Sequence, residues 1–406
     1  MALQPLLQIV HVSDLHFKDI RSNDAKSLNT RWSAFARAIR RLVLNRDLFD
    51  WYEGVQGHYP QAPNAFLSYL EKKLIPNSPE WFASTPDRPM TWLIDTGDLT
   101  TFGDDHAIEL GKNWLMKWRN QLAAHETREL IGNHDVWAGC HPAFALVGRV
   151  DLGNAQKKLL NLTGWDRDEW VIRPLVVNIP DSKSRIELYA LDTVCWDPWR
   201  NLNALGCIEE SSIRKLRDQI KSRSDSDVPH FRILAMHHPI VFPWLTSEIR
   251  TLAHIPVMRM LDENRILEGL NNDSCDPDVG PLAHLILSGH THAAHPSQGL
   301  PNDVTKIKQG RLGDFQFQLV AGALMLNKTT IQAIDSGSSS KPAYRATDFS
   351  NASTDRNCRA QILRFYHDSA RPEELKMYRI PVISVNGSVY RQGSPSQTTM
   401  YMTIPR

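Results

Sequence analysis

Five short clusters of Asp, Asn and His hold the side chains best suited to chemistry in this sequence. They are Asp14-x-His16, Gly97-Asp98, Gly132-Asn133-His134-Asp135, His237-His238-Pro239 and Gly289-His290-Thr291-His292. Each follows an apolar run that reads as a strand: 6–13, 91–96, a stretch ending at Ile131, 231–236 and 282–288. Side chains two apart on a strand share a side, so Asp14 with His16, and His290 with His292, can reach one ion. The collected donors are Asp14, His16, Asp98, Asn133, His237, His290 and His292. This mix of carboxylate, amide oxygen and imidazole suits Mn, Fe, Zn or Co. It is too rich in nitrogen for a Ca or Mg site. Seven donors are too many for one ion and fit two, with one carboxylate shared. No Cys enters the set, which argues against a structural zinc site. Taken singly, each piece has a plain alternative: Asp98 as a helix cap, His237 and His238 as buried rings bonded to backbone, His290 and His292 as turn residues. Five such accidents at five strand ends do not combine.

The elements that must position these donors alternate between strand and helix, so the class is α/β. In such sheets ligands collect outside the carboxyl ends of strands. Helical spacing appears over 29–44, 64–74, 104–124, 209–221 and 254–270, and further strands over 185–191, 316–324, 360–366 and 375–380. The strand 185–191 ends in Asp192-Thr193. Residues 45–90, rich in Pro and aromatics, read as an insertion packed on the main body, or as a wall over the active site. Residues 136–185 look irregular. Residues 335–357 are rich in Ser, Asn and Gly and read as a mobile loop. One catalytic domain is expected over 1–383, followed by a polar, extended tail over 384–406.

Bulk composition narrows the partners. The 406 residues include 42% apolar types, enough for a large core. With 46 basic against 45 acidic residues the net charge is +1, so no overall basic footprint for nucleic acid or an anionic membrane exists. Five scattered Cys read as free thiols in a reducing compartment. No apolar run approaches the roughly 18 residues needed to span a membrane, and the first residues lack a signal peptide's basic start. A cytoplasmic protein without a membrane partner is expected. Neither a P-loop nor a G-x-S-x-G elbow is present.

The five blocks, in this order, resemble the calcineurin-like metallophosphoesterases. The context Thr96-Gly97-Asp98-Leu99-Thr100, with Gly103 after it, is similar to the branch of cyclic-nucleotide and glycerophosphodiester phosphodiesterases. The resemblance implies a four-layer α-β-β-α sandwich: two packed mixed β-sheets flanked by helices, here with an inserted segment. Strands after residue 310 would complete the second sheet. It implies one metal on Asp14, His16, Asp98 and His292, and another on Asp98, Asn133, His237 and His290. His134 would be the catalytic non-ligand His and Asp135 its orienting partner. His238 would be a contact behind the ligands or to substrate, or simple packing. Two metals about 3.5–4 Å apart would activate a water to attack phosphorus. A nucleotide or other small phosphodiester is the expected substrate, with Trp137, Trp196, Trp199 and Trp244 available to stack on a base. The alternatives are a nuclease on DNA or RNA, a phosphomonoesterase on protein or small molecules, and a binding scaffold with incidental catalysis.

Overall fold

The computed structural model describes residues 3–17, 61–83, 85, 88–101, 103–137, 171, 173–180, 183–195, 205–223, 230–240, 260–261, 266, 269–270, 281–290, 305–309, 315–321, 324, 358–371, 374–384, 389–393 and 395–402, with main chain alone over 305–309 and 315–318 and at 398 and 401. The helices expected over 29–44 and most of 254–270, the loop 335–357, and His292 lie outside the described residues.

Two mixed sheets form the body. The first runs β12–β11–β10–β1–β2–β3, with β13 also on β11: β1 (Gln4–Val12), β2 (Met90–Asp95), β3 (Glu126–Glu129), β10 (Cys358–His367), β11 (Glu374–Ile383), β12 (Arg391–Gln392) and β13 (Ser396–Tyr401). The second runs β4–β5–β6–β7–β9–β8: β4 (Leu175–Asn178), β5 (Arg185–Ala190), β6 (His230–Ala235), β7 (Leu285–Ser288), β8 (Thr305–Gln309) and β9 (Phe315–Val320). β1, β2 and β3 are parallel, as are β5, β6, β7 and β9. All the turns that carry the candidate ligands therefore leave carboxyl ends.

Alternation along the strands builds three apolar layers. Leu7, Ile9, Trp92, Ile94, Leu363 and Phe365 of the first sheet face Ile186, Leu188, Phe231, Ile233, Leu285 and Leu287 of the second. Phe231 and Phe365 touch across the layer, with ring centroids 5.9 Å apart. Each such buried side chain contributes about 1.5–3 kcal/mol. The outer face of the first sheet, including Val10, Val12, Leu93 and Ile362, is covered by α1 (Ala62–Tyr69), its π-helical continuation Leu70–Leu74, and α3 (Asp105–Leu122). Asp104 caps α3, its Oδ1 accepting the Ala107 N–H at 2.8 Å. Gly111 lets this helix close on the Asp98 turn, because a Cβ there would meet Leu99 at 2.6 Å. The outer face of the second sheet receives Ile213, Leu216 and Ile220 of α4 (Glu210–Arg223).

The described part of the 45–90 segment is packed on the body. Phe66 meets Trp118 edge-on at 5.1 Å, and Trp81, in α2 (Pro79–Phe82), meets Tyr366 edge-on at 5.4 Å. The expectation that strands after 310 complete the second sheet needs correcting. β9 does so, but β10 and β11 join the first sheet, where β10 pairs antiparallel with the otherwise open edge of β1. The segment after 384, read as a tail, adds β12 and β13 to that sheet, and Met400 enters the core. A strand, β4, also lies in the stretch read as irregular; it has four residues between Pro174 and Pro180. No helix among the described residues is long and apolar enough to cross a membrane. Cys195 and Cys358 are buried and Cys207 is half-buried.

A buried polar chain at the first sheet yields a stability prediction. Gln361 Oε1 accepts from Arg379 Nε at 2.6 Å, so its amide nitrogen faces His11 Nδ1 at 3.1 Å. His11 Nδ1 is thus an acceptor, and Nε2–H donates to Thr96 Oγ1 at 3.0 Å. Burial, with Arg379 adding to it, lowers the His11 pKa to about 3. A depressed histidine pKa stabilises the fold fully above the unfolded value of about 6.5 and less as pH falls toward 3. His11 should cost about 1.4 kcal/mol per pH unit in that window. Urea melts of metal-free protein at pH 7, 6 and 5 should show a shallower slope, by about one proton, in His11→Asn. Equal slopes would refute a neutral buried His11.

Candidate metal centre

The turns after β1, β2, β6 and β7 are interlocked by backbone. Asp14 N–H donates to Gly97 O and His16 N–H to Asp98 O, both at 2.9 Å, and Gly289 N–H donates to His237 O at 3.0 Å. Among the described residues, five non-Gly residues have positive φ, and four are Asp14 (52°), His16 (49°), Asp98 (56°) and His290 (70°). Such backbone is uncommon outside glycine and concentrates where side chains must be aimed. Glycines permit the close approach. A Cβ on Gly132 would lie 2.1 Å from Asp98 Oδ1, and one on Gly289 would lie 1.7 Å from Ser13 Oγ.

Asp98, fully buried, stands at the middle. Its Oδ1 accepts the His134 N–H at 2.8 Å. Its Oδ2 has no hydrogen-bond partner in normal geometry among the described residues, yet three imidazole Nε2 atoms surround it: His237 at 3.4 Å, His16 at 3.9 Å and His134 at 4.0 Å. His16 Nε2 is also 4.0 Å from Asp14 Oδ1. His237 Nδ1 lies 2.8 Å from Thr96 O. A carbonyl can only accept, so Nδ1 carries the proton and Nε2 is left to the centre. There it meets Asn133 Oδ1 at 3.1 Å and His290 Nδ1 at 3.2 Å. Asp98, Asn133 and His290 thus gather around His237 Nε2, an arrangement that a bound cation satisfies or, in the metal-free chain, a proton on His237. Asp14, His16 and Asp98 form a second convergence, with His237 close to the two carboxylates. Asp14 further accepts the His290 N–H at 3.0 Å, tying the two sheets together.

The electrostatics carry the same message. Burial raises Asp14 to about 7, Asp98 adding to this and His237 opposing it. Burial alone would raise Asp98 too, but His237 and His134 outweigh it and hold this carboxyl well below its usual range. His237 rises to about 9 against its burial, through Asp98. Burial lowers His134.

The structure therefore brings together Asp14, His16, Asp98, Asn133, His134, His237 and His290. It gives Asp135 a different position from the expected one. Its carboxylate accepts Gly132 N–H at 2.9 Å, Leu99 N–H at 3.2 Å, and both the N–H and hydroxyl of Thr100 at 2.8 Å. It staples the turn holding Asp98 to the turn holding His134. The ring of His134 is oriented instead by Thr101 O, 3.0 Å from Nδ1. Trp137 is buried against that ring, with centroids 3.9 Å apart. Trp196, Trp199 and Trp244 lie outside the described residues. Sequence reasoning assigned no role to Thr193, which bonds His238; its position at a strand's carboxyl end was the available signal.

A family model described as calcineurin-like phosphoesterase matches residues 7–294. No curated protein matches the chain. Among solved structures, the calcineurin-like phosphoesterase YfkN from Bacillus subtilis is 11% identical over 98% of this chain and 91% of its own, with a TM-score of 0.37. The phosphopantetheinyl hydrolase PptH from Mycobacterium tuberculosis is 12% identical over 79% and 90%, with a TM-score of 0.37. The sulfate thiohydrolase SoxB from Thermus thermophilus is 9% identical over 99% and 57%, with a TM-score of 0.33. Likenesses this distant add nothing to the family match.

Proposed function

Because this chain belongs to the calcineurin-like phosphoesterase family, we propose that it hydrolyses a phosphoester with two metal ions and that its substrate is a nucleotide or another small phosphodiester. The convergence of three imidazoles on a buried carboxylate oxygen of Asp98 carries this reading. Asp14, His16, Asp98 and His292 would hold one ion; Asp98, Asn133, His237 and His290 would hold the other. The donors fit Mn, Fe, Zn or Co. Bound there, the ions would supply Lewis acidity and a nucleophile drawn from water.

The chain's own groups do the positioning. Thr96 O fixes the His237 ring so that Nε2 faces the centre. Thr101 O holds His134 Nδ1–H and leaves Nε2 facing the centre, where the ring, once protonated at both nitrogens, would give its Nε2 proton to the leaving oxygen. Asp135 keeps the two turns in register. The near-zero net charge and the sequence around Asp98 favour a small diester over a nucleic-acid strand.

With Mn²⁺ the protein should cleave bis(p-nitrophenyl) phosphate faster than p-nitrophenyl phosphate, and a chelator should stop it. His134→Ala should lower kcat about 10²–10⁴-fold at unchanged metal content. Cleavage of the monoester alone would overturn the diester assignment. Silence on both esters with two ions bound would overturn the small-substrate reading and favour a nucleic-acid strand.

A further inference from the structure

The end of β5 supplies no ligand in this assignment, yet its Thr193 reaches the centre through His238. Thr193 Oγ1 accepts the His238 main-chain N–H at 3.0 Å and lies 2.9 Å from His238 Nδ1. A hydroxyl has one proton to give. Among the described residues its hydrogen-bond partners are these two nitrogens, and the main-chain N–H can only donate. The hydroxyl proton therefore goes to Nδ1, and the imidazole keeps its own proton on Nε2.

That Nε2 is buried and has no hydrogen-bond partner among the described residues. The ring stands 4.3 Å from the His290 ring and 4.8 Å from the His237 ring, centroid to centroid. One ring nitrogen from each of the three lies within 4.8 Å of the others. The His238 ring is also wedged. A Cβ on Gly206 would come within 2.6 Å of His238 Cβ and Cγ. Bridges tie Gly206 to Val194 and Met260, and Cys207 N–H donates to Thr193 O at 2.9 Å. A buried N–H held this firmly beside ligand-type side chains is costly unless an acceptor arrives.

We propose that Thr193 and His238 form a preset hydrogen-bond donor for a phosphoryl oxygen, a substrate contact beside the metal ligands that is not itself a ligand. This rests on the phosphoesterase reading above. Thr193 is the positioning residue and His238 the contact. The test is calorimetric binding of inorganic phosphate to Mn-loaded protein, with metal content measured on the same samples. Thr193→Val and His238→Ala should each weaken phosphate binding roughly tenfold while metal content stays at the wild-type value. His238→Gln, whose amide nitrogen can replace Nε2–H, should recover part of the loss. A fall of one ion per chain in His238→Ala would make His238 a ligand and overturn the proposal. Unchanged phosphate binding in the near-isosteric Thr193→Val and in His238→Ala would reduce the pair to packing. A wild type that binds neither two ions nor phosphate would instead overturn the phosphoesterase reading.

Discussion

Asp98→Asn is expected to empty both metal positions and to lower phosphoester hydrolysis by about a thousandfold or more. The amide keeps the shape of the carboxylate but not its charge. Asp98 Oδ2 is the atom that His237, His16 and His134 surround. Both proposed ligand sets pass through it. Losing an outer partner of a metal ligand typically costs 10–100-fold; losing a shared ligand should exceed that. A metal supplies several kcal/mol of transition-state stabilisation, and about 4 kcal/mol is a thousandfold. The checks are metal content and kcat/KM on the variant. Two bound ions with near wild-type turnover would show that Asp98 does not bridge.

Gly132→Ala is the second large effect, and it acts through shape. The added carbon would sit 2.1 Å from Asp98 Oδ1 and 2.2 Å from Asp98 N, distances that side chains do not tolerate. Neither neighbour is the free end of a flexible chain. Asp98 is held by its own backbone turn, and Gly132 N–H is committed to Asp135. Overpacking costs about 1–3 kcal/mol or more, and a shift of about 1 Å at reacting groups costs about 100-fold in rate. Thermal melting and kcat should therefore both fall. Gly269→Ala is the control: among the described residues its added carbon would meet Ile213 alone, at an ordinary 3.4 Å. Equal behaviour of the two variants would contradict the close-approach argument.

The candidate ligands could be picked out from the sequence because metal chemistry restricts residue types and because the strands before them are apolar. Asp14, Asp98, Asn133, His237 and His290 all fall where strand ends put them. The hydrogen bonds around them were hidden. Asp135 was expected to orient the His134 ring; its acceptance of the Leu99 and Thr100 N–H groups instead depends on how two loops stack, which residue spacing does not encode. Thr193 was hidden for the same reason, its partner being on the neighbouring strand. β10 was placed in the wrong sheet because its partner, β1, lies at the other end of the chain. Alternation shows which face of a strand is apolar but not which edge it joins. β4 was too short and too closely flanked by Pro to register as a strand.

The central claim is that the Asp98 cluster is a two-metal centre. Its most direct test is the number of ions bound per chain after loading the metal-stripped protein with Mn²⁺ and removing the excess. Two ions per chain, falling in Asp98→Asn, is the expected result. One ion or none in a folded wild-type chain would contradict it.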